Sequence, residues 1–174
     1  GASFSLMPGD RVGVLGVNGV GKSTLMKILA KRDLEYDGHL HIAKGATVGY
    51  VSQEPELDFS KSVRENVELA VGEVRGLLAR YDEILKAWED PDIMADEEKM
   101  NALLAEQGEV QESLEAMDAM DPAALDNRIE TAMDALRLPP GDRDIASLSG
   151  GERRRVSLCK ELLSHPDVLI LDEP

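Results

Sequence analysis

Between Arg11 and Ala30 the chain reads RVGVLGVNGVGKSTLMKILA, and one stretch inside it limits the possible folds more than any other. GVNGVGKS fits the pattern G-x-x-x-x-G-K-[ST], with Gly16, Gly21, Lys22 and Ser23 in the fixed places. The run before it, RVGVLG, has the composition of a short strand, and the run after it carries Leu25, Ile28 and Leu29 at helical spacing. Strand, glycine-rich turn and helix in that order build an anion cradle. The glycines let successive N–H groups converge, and the helix start adds its positive end. Lys22 is expected to bridge the β- and γ-phosphates of a nucleoside triphosphate, Ser23 to ligate Mg2+, and Thr24 to reach the α-phosphate. Asn18 and Gly19 belong to the same nucleotide-binding loop. A chance Lys-Ser after a glycine-rich turn would not explain the strand and helix on either side. The motif alone leaves ATP and GTP both open.

The other end of the chain, DVLILDEP, is a buried-strand pattern that ends in two acids. Ligands of open α/β sheets bind at the carboxyl ends of strands. Asp172 is therefore expected to hold the Mg2+ shell, and Glu173 to orient or deprotonate an attacking water. Shortly before it, LSGGE opens a helical run, RRRVSLCKELLS, with Ser149 in the N-cap position and Gly150 and Gly151 leaving backbone N–H groups open. That is a second anion site on one chain. One phosphate pocket needs one cradle, so the second is expected to serve another molecule's nucleotide.

With these motifs the sequence resembles the ATP-binding-cassette ATPases: Walker A at Gly16–Thr24, a Q-loop glutamine at Gln53 in VSQEP, the signature at Leu148–Glu152, then Walker B to Asp172 followed by Glu173. The resemblance covers essentially the whole chain. It implies ATP as ligand, Gln53 as a further Mg2+ and catalytic-site residue beside Lys22 and Glu173, and head-to-tail pairing with a second cassette. In that pairing Ser149, Gly150 and Gly151 act across the interface. It also implies a D-loop and a switch-histidine strand beyond Walker B, and an adenine-stacking aromatic near the start, none of which occurs between Gly1 and Pro174. The expectation is a piece of a cassette that binds nucleotide weakly and does not hydrolyse it appreciably by itself. His39, His41 and His165 are read as surface or core residues.

The interval between Gln53 and Ser149 holds more than a plain helical subdomain. Val67, Val71, Val74, Leu78, Tyr81, Leu85 and Trp88 step by four and three, and Met100, Leu103, Gln107, Val110, Leu114 and Met117 repeat the pattern after a break at EDPDIMADEE. Two such seams predict an antiparallel helical hairpin, its first helix running unbroken from Val63 to Trp88, roughly 39 Å long at ~1.5 Å per residue. A further helix is expected from Asp121 with Leu125, Ile129, Met133 and Leu136 on one face, stopped by Pro139. The hairpin either projects as a lever that touches a partner or packs as an elongated subdomain on its own core. Within the cassette ATPases it resembles the arm of the ABC-F proteins, which lack membrane domains and act on ribosomes.

Charge sets a limit on that implication. The chain carries a formal −15, and from Arg64 to Arg137 seven bases face 20 acids, a net of −13. Such a segment repels a polyphosphate backbone unless a few bases are focused at one point. A protein contact, or a few residues at the tip, fits the arm better than RNA along its flanks. Arg153, Arg154 and Arg155 are expected to pair with Glu152 and Glu161, with RNA contact as the other option. The lone Cys159 cannot form an internal disulfide, reads as a small core residue, and fits a reducing cytoplasm.

The expected architecture is α/β: a P-loop NTPase core of cassette type with short strands at RVGVLG, HLHI and TVGYV, an inserted antiparallel hairpin arm and a helical subdomain. Its parts are residues 1–62 (first part of the core), 63–120 (arm) and 121–174 (rest of the helical subdomain, signature helix and Walker B strand). The resemblance implies an ATPase of a cytoplasmic, ribosome-associated translation factor meeting rRNA and tRNA, with no membrane domain. The alternative is the ATPase subunit of a membrane transporter. A chromosome-organising ATPase, which splits its cassette with a far longer coil, is a third class.

Overall fold

A computed structural model describes residues 3–173. Its organising element is a pair of four-residue strands, β1 (Val48–Val51) and β2 (Val168–Leu171), hydrogen-bonded in parallel although about 120 residues apart. The register runs from Val48 opposite Val168 to Val51 opposite Leu171, and it is extended at both ends by Val168 N–H to Thr47 O and Asp172 N–H to Val51 O. Asp167 locks the entrance by accepting from both the backbone and the hydroxyl of Thr47, which holds its carboxyl below the usual aspartate range.

Two expected strands do not form. RVGVLG and HLHI join no ladder, and Leu15 is 96% exposed. Their apolar composition suits a strand, but a strand exists only where a neighbouring backbone supplies N–H and C=O partners. Neither free edge of the β1–β2 pair takes them up. Helix α1 (Lys22–Leu29) does form directly after the glycine-rich loop.

Seven helices are described: α1, α2 (Val63–Glu68), α3 (Gly72–Ala87), α4 (Pro91–Met94), α5 (Glu97–Ala116), α6 (Pro122–Ala135) and α7 (Gly150–Leu163). Two begin with the same device. Ser62 caps α2 and Ser149 caps α7, each in a capping box with the glutamate three residues on, Glu65 and Glu152. The main core lies between α2, α6 and α7, where Val63, Val67, Leu125, Ile129, Val156 and Cys159 meet. Asn66 is fully buried among them and fully satisfied: its side-chain oxygen accepts from Asp58 N–H, and its amide donates to Asp58 O and Ser62 O. It ties the turn after the Q-loop to α2.

The expected 26-residue first helix is broken. It divides at a single 3-10 turn, Leu69–Val71, into α2 and the 16-residue α3. Val67 and Val71, which the heptad count assigned to the hairpin seam, belong instead to the α2–α6–α7 core. Two cores pull on one periodic run, and the backbone turns between them just before Gly72, a poor helix former. Beyond the break α3 and α5 pack antiparallel on a second, smaller core of Ile84, Leu103, Val110 and Leu114. Ile84 takes the inward position expected of Leu85, which is 45% exposed. Gln107 holds its seam position through Trp88, whose Nε1 donates to the Gln107 side-chain Oε1 at 2.8 Å, and Arg80 makes two bonds to Glu106 across the pair. The polar connector includes one helical turn, α4, capped by Asp90.

β1 contains one residue that the packing cannot enlarge. A Cβ on Gly49 would stand 2.8 Å from Pro166 Cγ and 2.9 Å from Glu161 Oε2, where the chain enters β2. The proline ring cannot swing aside. Gly49→Ala should destabilise the protein by about 1–3 kcal/mol, the usual cost of overpacking, read as a lower urea midpoint; an unchanged midpoint would contradict this packing.

Candidate functional site

The β1–β2 register decides what meets at the strands' carboxyl ends. Two residues beyond Val51 stands Gln53, and two beyond Leu171 stands Glu173, so parallel pairing sets them side by side. Gln53 Nε2 donates to Glu173 Oε2. Glu173 adopts a left-handed backbone (φ 52°), a conformation that costs a non-glycine residue about 1–2 kcal/mol and turns its carboxylate out of the strand line. Asp172, one residue earlier, is 3% exposed.

The glycine-rich loop closes on this pair from the other side. Gly19 and Gly21 have φ of 84° and 94°, values that side chains rarely adopt, and Gly21 leads straight into α1. Lys22 curls back so that its ammonium donates to Gly16 O at 2.8 Å and Val17 O at 3.1 Å, which places the charge in the mouth of the loop. Ser23 Oγ donates to Asp172 Oδ1 at 3.1 Å, and Tyr50 from β1 donates its hydroxyl to Asp172 Oδ2 at 3.2 Å. Burial, followed by the Asp172 charge and the hydrogen bond, holds the Tyr50 phenol above its usual pKa, so it stays a donor.

A cleft of about 330 Å3 opens here, with Asn18, Gly19, Gly21, Lys22, Ser23 and Thr24 on one wall and Gln53 and Glu173 on the other; Asp172 lies beneath it, reached through its bond from Ser23. The structure thus joins the front loop, the Q-loop glutamine and the terminal acids in one place. The candidate ligands gathered here, the Ser23 hydroxyl, the Asp172 carboxylate it bonds and the Gln53 side-chain amide, offer oxygen to a cation. That small, hard set suits Mg2+, which keeps several waters and takes further ligands from a phosphate. No cluster of three or more His, Cys, Asp or Glu capable of holding a metal occurs among the described residues.

Ser149, Gly150 and Gly151 do not line this cleft; they form the exposed start of α7. The Ser149 hydroxyl and backbone N–H both donate to Glu152 Oε2 at 2.7 Å. Those bonds, more than the nearby arginines, hold the Glu152 carboxyl below its ordinary value. The three arginines that follow do not pair with Glu152 or Glu161, contrary to expectation. Glu152 pairs with Arg143 at 3.4 Å, Arg153 lies 5.2 Å over the Phe59 ring, and Arg154 Nε donates to Gln53 O at 3.1 Å. Arg154 and Tyr50 are the site contacts that sequence reading missed. Their only signal was polar reach on elements already assigned to the motifs, and long-range pairing is needed to read it. Cys159 is fully buried, and burial pushes its thiol up to about 11.

The chain matches the family described as ABC transporter over residues 1–174. It is 49% identical to the energy-dependent translational throttle protein EttA of Haemophilus influenzae and 46% identical to that of Mycobacterium tuberculosis, each over 99% of the chain. It is 35% identical to the tylosin resistance ATP-binding protein TlrC of Streptomyces fradiae, again over 99% of its length. The chain spans about 30% of the length of these curated relatives.

Removing the Ser149 hydroxyl tests the α7 cap directly. Ser149→Ala should cost about 1 kcal/mol of stability at neutral pH. Because Glu152's folded pKa is depressed, its share of the cap is fully present above the ordinary glutamate value and is lost as pH falls through the lowered one. Urea titrations should therefore show the wild-type advantage shrinking in acid; an advantage that grows in acid would contradict the cap.

Proposed function

The chain belongs to the ABC transporter family of ATP-binding cassettes, and on that premise we propose that it serves as an ATP-binding and ATP-hydrolysing cassette of a cytoplasmic, ribosome-associated translation factor of the ABC-F type. The observation that carries this reading is 46–49% identity, over 99% of the chain, to translational throttle proteins. None of the described helices is long and apolar enough to cross a membrane. The paired α3–α5 helices, with a core of their own, suit an arm inserted within residues 63–120 between two parts of the nucleotide-binding core, residues 1–62 and 121–174. The acidic connector from Glu89 to Glu98, at the tip of that arm, suits a protein contact better than RNA.

In this reading the residues divide the work as follows. The backbone N–H groups of the loop from Gly16 to Thr24, aimed by the start of α1, gather the phosphates of ATP. Lys22, already held at the loop mouth, exchanges its two carbonyl partners for phosphate oxygens. Ser23, Asp172 and Gln53 would hold Mg2+, which supplies charge neutralisation along the phosphates. Glu173 accepts a proton from, or orients, the water that attacks the terminal phosphate, and Gln53 fixes the direction of its carboxylate. Ser149, Gly150 and Gly151, exposed and apart from this cleft, donate to the ATP held by a second cassette. Arg154 ties that second half-site to the first through the Gln53 carbonyl.

The experiment is to replace Glu173 with Gln in the protein as the cell makes it, which leaves ATP bound but removes the base. The variant should cosediment with ribosomes in the presence of ATP and be released when Lys22→Ala is added. Accumulation in membranes with a permease would overturn the proposal in favour of transport.

A further inference from the structure

Asp172 is held by two different groups, and only one of them belongs to the nucleotide loop. Its Oδ1 accepts from Ser23, its Oδ2 from the Tyr50 hydroxyl. A carboxylate at the end of a strand can rotate about its last bond and exchange its two oxygens. A fixed donor on one oxygen removes that freedom and decides which oxygen faces the loop. Tyr50 is well placed to be that donor. It lies in β1, directly beside the strand that carries Asp172, and the ladder continues through Asp172 N–H to Val51 O, so the two backbones cannot drift apart. The neighbouring Gly49, crossed closely by Pro166, fixes the height of β1 against the chain entering β2. The phenol ring is half-buried and Asp172 almost wholly so, which leaves little water to substitute for the bond.

We propose that Tyr50 is a positioning residue for divalent-cation binding: its hydroxyl fixes Asp172 so that Oδ1, beside the Ser23 hydroxyl, is presented to the cation that accompanies the nucleotide. The inference rests on the reading of Asp172 as a cation ligand. Groups that orient a metal-binding carboxylate typically contribute 10–100-fold to metal affinity. Tyr50→Phe removes one oxygen and keeps the ring, so packing is preserved.

The test titrates Mn2+ into the purified protein with ATP and follows free Mn2+ by electron paramagnetic resonance, independently of turnover. Tyr50→Phe should weaken Mn2+ binding by about 10–100-fold, while its ATP binding in EDTA stays at the wild-type value; its urea midpoint should fall as well, because the bond to a nearly buried carboxylate is lost. In an Asp172→Asn background the same change should add nothing, because the phenol then has no carboxylate to hold. If Asp172→Asn weakens Mn2+ binding and Tyr50→Phe does not, the positioning role is wrong and the ligand reading stands. If Asp172→Asn itself leaves Mn2+ affinity unchanged, the ligand reading fails and the proposal falls with it. A Tyr50→Phe effect that persists in the Asp172→Asn background would assign the phenol a role that does not pass through Asp172, which also overturns the proposal.

Discussion

Everything at the candidate site hangs on one parallel ladder four residues long. Val48–Val51 and Val168–Leu171 come from distant parts of the chain, and their register fixes, without further adjustment, that Gln53 faces Glu173 and that Asp172 lies under the glycine-rich loop. A slip of one residue would send every side chain to the opposite face. Gly49 and the paired bonds between Thr47 and Asp167 hold that register at its entrance, and Asp172 N–H to Val51 O holds it at the exit. The ladder is therefore the structural cause of the site, and the helices act through it.

The exposed start of α7 is mechanically joined to the cleft. Helix α7 begins at the exposed Ser149 cap, packs its buried side against α2 and α6, and sends Arg154 to the carbonyl of Gln53. Asn66 anchors the turn that follows Gln53 to the same core. A displacement of α7 thus reaches the glutamine that faces Glu173 through one hydrogen bond and one packed turn. The α3–α5 pair, in contrast, keeps a core of its own and adjoins the main core where Val74 and Leu78 touch both.

The parts of this arrangement that could be read from sequence are those whose chemistry demands particular residues at fixed spacing. The loop glycines, Lys22 and Ser23, the Ser149 cap, the Asp121–Pro122 helix start and the terminal acids all fall in that class. Contacts between distant segments do not, which is why the partners of Tyr50, Asn66 and Arg154 could not be read. The overextended first helix has a related cause: a heptad count registers apolar spacing but cannot tell that Val67 and Val71 are claimed by another core. Ile84 and Leu85 are adjacent and both apolar, so periodicity could not choose between them. RVGVLG and HLHI show that strand-like composition is insufficient without a ladder partner.

The central claim, that the β1–β2 register gathers the loop, Gln53 and the terminal acids into one nucleotide–cation site, can be measured by paramagnetic relaxation. With ATP and substoichiometric Mn2+ added to isotopically labelled protein, resonances of Ser23, Gln53, Asp172 and Glu173 should broaden together, and those of the acidic connector from Glu89 to Glu98 should remain sharp. Broadening confined to that connector, with the four site residues unaffected, would contradict the account.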